Sequence, residues 1–247
     1  MVLFSFLFSL LSTMIWRLFQ IKDKREERKV DVSPYGDVFK TAGFACLPLS
    51  RLMEGGLNMP TPLSEMTLEE LWALFPITLT SHNPDWQAWY SEMSAILRSA
   101  LSSRGIIRIS HIGSTAVNGI WAKPIIDILV EISPDEDISV VSELIAKGGF
   151  IKMAESESRI SFNRGYTENG FAEKVYHLHL RFAGDNDELY FRDYLNDNPH
   201  IAKEYERLKL SLWHQFEHDR DGYTQAKTVF VIKHTLSARE LYKNRYV

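Results

Sequence analysis

Two apolar runs, Ile106–Ile112 and Ile125–Ile132, constrain the fold of this chain more than any other feature of its sequence. The first run ends abruptly at Gly113 and Ser114, and the second carries one carboxylate, Asp127, in its middle. Short apolar runs that are bounded by turn residues are typical of buried β-strands. The pattern therefore predicts a strand, a Gly-Ser turn with a short helix, and a second strand that bears an acid.

This order of elements is suited to binding a phosphate. Glycine lets the backbone approach a phosphate without a Cβ in the way, and serine adds a hydroxyl donor. The N-terminus of the following helix would offer free N–H groups to the anion, and a strand carboxylate could hold Mg²⁺ or Mn²⁺ against the same phosphates. The segment thus indicates a nucleotide or another phosphorylated small molecule as the ligand.

The segment resembles the signature of the nucleotidyltransferase superfamily, in which a Gly-[Gly/Ser] turn precedes a strand with two acids. More closely, it resembles the GrpB family, and three later strings are similar to that family's pattern in the same order. These strings are His177-Leu178-His179-Leu180, Phe191-Arg192-Asp193-Tyr194-Leu195 and Tyr223-Thr224-Gln225-Ala226-Lys227. The resemblance covers residues 66–241 and implies a GrpB or nucleotidyltransferase-like domain over 66–247. It is specific for the family and much less so for an activity.

The composition disfavours several classes of function. The chain has 247 residues and a net charge of −4, which provides no electrostatic footprint for nucleic acid. Its one cysteine, Cys46, cannot form an internal disulfide, so we expect a reducing, cytoplasmic location. The sequence contains no Cys/His zinc pattern and no Gly-x4-Gly-Lys-[Ser/Thr] loop. A P-loop kinase is therefore disfavoured.

Residues 1–65 are predicted to lie outside the functional domain. Residues 1–16 carry no charge, and a tract of mixed charges follows at 22–29. The apolar run lacks the flanks of a secretory signal and is short for a membrane span. We interpret the segment as a non-native or disordered extension; an N-terminal membrane anchor is the alternative.

The remaining pattern predicts an α+β fold. Helix-start signals precede a short helix near residue 67 and a longer one near residue 83, and a third helix covers 139–147. β-prone stretches at 150–153, 158–163 and 173–182 complete a mixed sheet with the two apolar runs. We expect a nucleotidyltransferase-like mixed β-sheet with helices packed on one side and a helical C-terminal tail.

The tail is predicted to form helices over 187–196, 199–217 and about 221–243. In the middle helix, apolar residues at helical spacing define the stripe that we expect to be buried. This stripe consists of Ile201, Tyr205, Leu208 and Leu212.

Asp127 is the principal catalytic and metal-binding candidate. A carboxylate within an apolar strand needs compensation, and Mg²⁺ could supply it; a salt bridge to a residue such as Lys123 is the structural alternative. The superfamily carries a second acid two residues away, but Ile125 and Leu129 occupy those positions here. Glu131 shares the face, yet four residues along a strand span about 13 Å. Standard two-metal catalysis is therefore not expected.

His177 and His179 are further catalytic candidates, and Arg181 is a phosphate-binding candidate. The three alternate with apolar residues, so they share one face of a predicted strand. Two imidazoles about 7 Å apart could ligate one metal ion, act as acid and base, or bind phosphate when protonated. A packed, hydrogen-bonded pair without a site role is the alternative.

The other phosphate-binding candidates lie around the turn. Gly113, Ser114 and Thr115 could contact the anion, although the same residues would also suit a tight turn with a helix cap. His111 flanks the turn on the first strand, and Lys123 could neutralise a phosphate.

Three functions are compatible with these residues. The first is Mg²⁺-dependent nucleotidyl or phosphoryl transfer to a small-molecule acceptor. The second is a nucleotide- or phosphometabolite-binding module that has lost catalysis, which the missing second acid favours. The third is a partner-binding domain. The resemblance adds a link to coenzyme A metabolism, because similar domains are fused to dephospho-CoA kinase.

Overall fold

The computed structural model describes residues 61–246, so the predictions for residues 1–60 lie outside the described part. Helix α1 (Leu68–Leu74) begins with the expected capping box, in which Thr67 and Glu70 exchange side chain-to-backbone hydrogen bonds. Helix α2 (Asp85–Ala100) begins after Pro84. None of the helices formed by residues 61–246 is long and apolar enough to cross a membrane.

Five strands form one mixed sheet in the order β1-β2-β5-β4-β3. The strands are β1 (Ile106–Ile112), β2 (Ile125–Ile132), β3 (Ile151–Glu155), β4 (Arg159–Thr167) and β5 (Gly170–Phe182). Strand β2 pairs parallel with β5, and the other three pairings are antiparallel. The predicted strands and their mixed arrangement are thus confirmed.

One face of the sheet carries the main hydrophobic core. Ile126, Ile128 and Val130 of β2 alternate toward this face and are fully buried. They pack in one cluster with α2 and with helix α3 (Ile138–Lys147). Asp137 caps the start of α3, and its carboxylate accepts hydrogen bonds from the N–H groups of Ser139 and Val140.

The opposite face of the sheet is polar at its centre. Asp127 pairs with Ile112 on one side and with His177 on the other, and His177 pairs with Asn163. Because paired residues of neighbouring strands point to the same face, Asp127, His177 and Asn163 form one row across the sheet. The functional candidates on β2 and β5 therefore share a surface.

The C-terminal tail folds into three helices, α4 (Asp187–Asp197), α5 (Pro199–Trp213) and α6 (Arg220–Tyr242). Leu189 of α4 packs on Ile112 and Leu129, which belong to the polar face of the sheet. Helices therefore cover both faces, and the expectation that they pack on one side is corrected. The physical reason is that these apolar positions flank Asp127 and need cover from water.

Helix α5 buries a different stripe from the predicted one. Its buried residues are Ala202, Tyr205, Glu206 and Lys209. Of the predicted stripe only Tyr205 is buried, and two of the other buried positions carry charges. This face of α5 contacts a polar cavity as well as the apolar core.

Candidate functional site

A cavity of about 320 Å³ opens on the polar face of the sheet, with helices α5 and α6 contributing to its walls. Six of the nine candidate site residues predicted from the sequence line it. They are Gly113, Ser114, Lys123, Asp127, His177 and His179. The turn, the strand carboxylate and the histidine strand are thus brought together at one place.

The Gly113 turn lies directly against the Asp127 carboxylate. Gly113 has φ +72, and a Cβ built on it would lie only 2.8 Å from Cγ of Asp127 and 3.0 Å from its Cβ. Only glycine combines this backbone conformation with so close an approach. After it, Ser114–Ala116 form a single 3-10 turn where a short helix was expected.

The Asp127 carboxylate faces both histidines of β5. Its Oδ1 lies 3.3 Å from Nδ1 of His177 and 3.9 Å from Nε2 of His179. Burial raises the pKa of Asp127, but hydrogen bonds from the two imidazoles and their charges hold it well below its usual range. The Asp127 side chain is 26% exposed, so its carboxylate faces the cavity.

A chain of polar groups continues from His177 away from Asp127. Nε2 of His177 lies 2.8 Å from the hydroxyl of Tyr166, and Arg220 donates a hydrogen bond to the same hydroxyl over 3.3 Å. Burial opposes protonation of His177, but the neighbouring phenol and carboxylate raise its pKa overall. Both ring nitrogens of His177 are therefore occupied, which fixes the orientation of the ring.

Three lysines from separate elements converge on the cavity. Lys123 precedes β2, Lys209 lies on α5 and Lys227 on α6. Burial lowers the pKa of Lys209 to about 7 and that of Lys227 to about 8, and repulsion by Lys227 adds to the effect at Lys209. Burial, together with repulsion by Lys227 and Arg220, holds the pKa of Lys123 well below its usual range.

Comparison with known proteins identifies the family of this chain. The family model described as GrpB protein matches residues 76–236, which is more than half of the chain. The chain belongs to the GrpB family.

Similar proteins occur in several bacteria. The chain is 32% identical over 161 residues to the glutamate-rich protein GrpB of Alkalihalophilus pseudofirmus, which covers 63% of this chain and 91% of that protein. It is 27% identical over 236 residues to UPF0157 protein YqkA of Bacillus subtilis, covering 92% of this chain and 65% of the relative. With UPF0157 protein PA4798 of Pseudomonas aeruginosa, the identity is 33% over 154 residues, with coverages of 61% and 63%. The chain spans less than two thirds of the length of the last two relatives.

The fold is also similar to that of a solved GrpB structure. The crystal structure of conserved protein GrpB from Enterococcus faecalis superposes with a TM-score of 0.57 at 29% sequence identity. The match covers 67% of this chain and 99% of the Enterococcus chain. The α+β architecture described above is therefore shared with a GrpB protein.

Three predicted phosphate-binding residues of this GrpB chain do not line the cavity; they are His111, Thr115 and Arg181. His111 pairs with Ile128 and so points to the other face of the sheet, where it stacks on Tyr90. Its Nε2 lies 3.0 Å from Oγ1 of Thr115, and Thr115 donates a hydrogen bond to the carbonyl of Ile125. These contacts brace the turn behind Gly113.

Arg181 also lies outside the cavity lining. It is 1% exposed, and its guanidinium makes two hydrogen bonds, of 2.9 and 2.7 Å, to the Glu188 carboxylate. Glu188 does line the cavity, so Arg181 neutralises an acid of the wall. The alternation of β5 correctly placed Arg181 on the face of the histidines, but its partner on α4 could not be foreseen.

The residues that the helical tail contributes to the cavity were not predicted as site residues from the sequence. Lys209, Arg220, Tyr223 and Lys227 all line the cavity. Tyr223 and Lys227 belong to one of the strings that resemble the GrpB pattern, and their spacing of four places them on one helix face. That combination was the available signal for a site role.

The donor set does not fit a resident Mg²⁺ ion. Mg²⁺ requires oxygen ligands in near-octahedral geometry, and Asp127 supplies one carboxylate that already faces two imidazoles. Residues 61–246 contain no group of three or more His, Cys, Asp or Glu side chains arranged to hold a metal ion. The role of Asp127 as a metal ligand stays a prediction.

Proposed function

We propose that this GrpB protein binds a phosphorylated small molecule, with a nucleotide as the leading candidate, and transfers its nucleotidyl or phosphoryl group to a small acceptor. One observation carries the proposal: the Gly113–Ser114 turn, Asp127 and three lysines all line one cavity of about 320 Å³. A cavity of this size is in the range of small-molecule sites.

The distribution of charge in the wall favours an anionic ligand. The Asp127 charge is opposed by two imidazoles, and Glu188 is paired with Arg181. Within residues 61–246, the lysines paired with a carboxylate are Lys152, Lys174 and Lys203. None of the three cavity lysines is among them. Unpaired buried cations are costly unless an anion joins them, and a phosphate group would supply the missing charge.

Phosphoryl and nucleotidyl transfer depend mainly on positioning and on charge stabilisation. The lysines would neutralise the phosphate oxygens, and the Ser114 hydroxyl would orient them. The acceptor oxygen forms a bond to phosphorus as the bond between phosphorus and the leaving phosphate oxygen breaks. The acceptor proton passes to solvent, and the leaving phosphate departs with its charge balanced by the lysines. Asp127, which stays ionised, is placed to accept the hydrogen bond of the acceptor hydroxyl.

The resemblance to the nucleotidyltransferase signature supports this reaction class, but one feature favours a second candidate. Ile125 and Leu129 occupy the two positions of β2 where a second acid of that signature would lie, and both are buried. A module that binds the phosphorylated ligand without turning it over would need only the turn and the lysines. We keep this binding function as the alternative.

The two functions are separated by measuring binding and turnover on the same protein. A thermal-shift screen should include the common nucleotides and coenzyme A precursors, each with EDTA, Mg²⁺ or Mn²⁺. The ligands that stabilise the protein are then incubated with it, and products are followed by phosphorus NMR. For an enzyme, Asp127→Asn should abolish turnover while ligand-induced stabilisation persists, and the exposed Asp135→Asn should behave as wild type.

Stabilisation by a phosphorylated ligand without any product in wild type would support the binding module. If no phosphorylated compound stabilises the protein under any of the three conditions, both functions are wrong, and a partner-binding role replaces them.

A further inference from the structure

The Asp127 carboxylate has little capacity left for a metal ion. Oδ1 faces His177 and His179 at 3.3 and 3.9 Å, and the rest of the group packs against Gly113. His177 cannot offer a free nitrogen, because its Nδ1 faces Asp127 and its Nε2 contacts the Tyr166 hydroxyl. A metal ion here would have to displace these contacts.

The neighbouring acids cannot join Asp127. Glu131 is the other acid on this face of β2, but it is fully buried and accepts hydrogen bonds from the Asn186 amide and the Gly184 N–H over 2.8 and 3.2 Å. Glu188 lines the cavity, but both its oxygens are held by Arg181. The cavity therefore lacks the two free carboxylates that a phosphate-bridging metal site commonly uses.

The lysines provide the positive charge that is otherwise missing. The ammonium groups of Lys123 and Lys227 lie 4.5 and 4.1 Å from the ring centroid of Tyr223. Lys209 donates a hydrogen bond to the carbonyl of Trp121 and lies 4.9 Å from the ring centroid of Tyr205. Aromatic rings and a carbonyl position these side chains without supplying an opposing charge, so their ammonium groups remain available to a ligand.

We propose that Lys123, Lys209 and Lys227 take the place of a metal ion, so that the cavity binds the phosphates of its ligand without Mg²⁺. This inference rests on the proposed function and names the ligand class more closely: a free di- or triphosphate carrying three or four negative charges. A magnesium complex carries two fewer negative charges and a fixed hydration shell, so it binds three ammonium groups less well.

Isothermal titration calorimetry with ADP and with pyrophosphate, in EDTA and in excess Mg²⁺, tests the inference. We expect binding in EDTA, and an affinity in Mg²⁺ that is equal or lower. Lys209→Met and Lys227→Met should each weaken binding in EDTA by about tenfold or more, because each removes a close charge partner of the ligand. Lys233→Met, on the exposed side of α6, should bind as wild type does.

The Asp127→Asn variant distinguishes phosphate binding by the lysines from phosphate binding by a metal ion most directly. If the lysines hold the phosphates, removing a negative charge from the cavity wall tightens binding in EDTA. If a metal ion bridges Asp127 and the phosphates, the same substitution abolishes binding in Mg²⁺.

The outcomes of these titrations separate the metal-free binding inference from the proposed function. Binding that requires Mg²⁺ and disappears in Asp127→Asn would overturn this inference and leave the proposed function intact. Lysine variants that bind in EDTA as tightly as wild type would also overturn it. Absence of binding by either ligand in both conditions would overturn the proposed function itself, and circular dichroism of each variant shows whether a loss reflects unfolding.

Discussion

Gly113 and Asp127 are in van der Waals contact across the cavity floor: a Cβ added to the glycine would lie 2.8 Å from Cγ of the aspartate. The turn therefore limits where the carboxylate can lie, and the carboxylate limits which residue the turn can contain. Because the two residues fit closely, the position of the Gly113 backbone and the position of the Asp127 carboxylate depend on each other. The Gly113 backbone is the part of the turn that would contact a phosphate.

The first prediction concerns Gly113→Ala, for which the chain offers a matched control. Gly113 and Gly119 have φ +72 and φ +71, but a Cβ on Gly119 would meet nothing within 4 Å. Gly119→Ala should cost about 1 kcal/mol, which is the price of the backbone conformation alone. Gly113→Ala should cost about 1–3 kcal/mol more, because the methyl group displaces Asp127.

Urea unfolding of both variants measures these differences, and ADP titration should show weakened binding in Gly113→Ala alone. Equal destabilisation of the two variants would show that the turn and the carboxylate can separate without cost.

The part of the site formed by the sheet and its turn could be predicted from the sequence, because local pattern fixes where each of its residues points. Gly113 and Asp127 flank one short connection between two strands, and strand alternation placed His177 and His179 on one face of β5. The pairing of β2 with β5 then brought the two strands into register, with Asp127 opposite His177.

The part of the site formed by helices α5 and α6 could not be predicted from local sequence pattern. On α5, the apolar residues Leu208 and Leu212 indicated a buried stripe, yet Lys209 is 2% exposed and Leu208 is more exposed. Hydrophobic periodicity assumes that a buried helix face meets an apolar core. Here part of that face meets the cavity, so charged residues are buried, and only the tertiary arrangement shows which ones.

The second prediction is that Lys227→Met stabilises the ligand-free protein while it weakens ligand binding. A pKa of about 8 for Lys227 means that the folded state disfavours its charge. Methionine keeps the length of the side chain and removes that cost, so the free energy of unfolding at pH 7 should rise by about 1–3 kcal/mol.

Thermal unfolding with and without ADP measures both effects. The control is Lys233→Met on the same helix, whose side chain is exposed; it should change neither quantity. A Lys227→Met protein that is less stable than wild type would show that the ammonium group has a stabilising partner in the fold.

The third prediction is that affinity for ADP in EDTA falls as the pH rises from about 7.5 to 9.5, where the phosphates of ADP stay fully ionised. The ligand binds the charged forms of Lys209 and Lys227, whose pKa values are about 7 and about 8 in the free protein. Binding therefore takes up protons, and affinity should fall by up to about tenfold per pH unit for each proton.

The free energy of unfolding of the ligand-free protein should rise between about pH 7.5 and 9.5, while the affinity for ADP falls. Because the pKa of each lysine is lower in the folded state than in the unfolded state, the unfolded chain binds more protons, and the free energy of unfolding rises with pH. Calorimetry in two buffers with different ionisation enthalpies counts the protons. An affinity that is constant with pH would show that the lysines do not hold the phosphates.

The fourth prediction concerns His111, which is 6% exposed and lies behind the turn. Burial and the nearby Arg192 outweigh the attraction of Asp127 and lower the pKa of His111 to about 4. Between about pH 6.5 and 4, the unfolded chain takes up a proton that the folded protein does not. The free energy of unfolding should therefore fall with decreasing pH in this range, by up to about 3 kcal/mol from this group.

Urea unfolding of wild type and of His111→Gln across this range isolates the contribution. The glutamine variant lacks the titrating group, so its stability should depend less steeply on pH, even if it is less stable throughout because the contact with Thr115 is altered. The exposed His200→Gln should keep the wild-type slope. If His111→Gln and wild type lose stability in parallel, His111 is already charged in the fold, and the contact between its Nε2 and Thr115 must have a different proton arrangement.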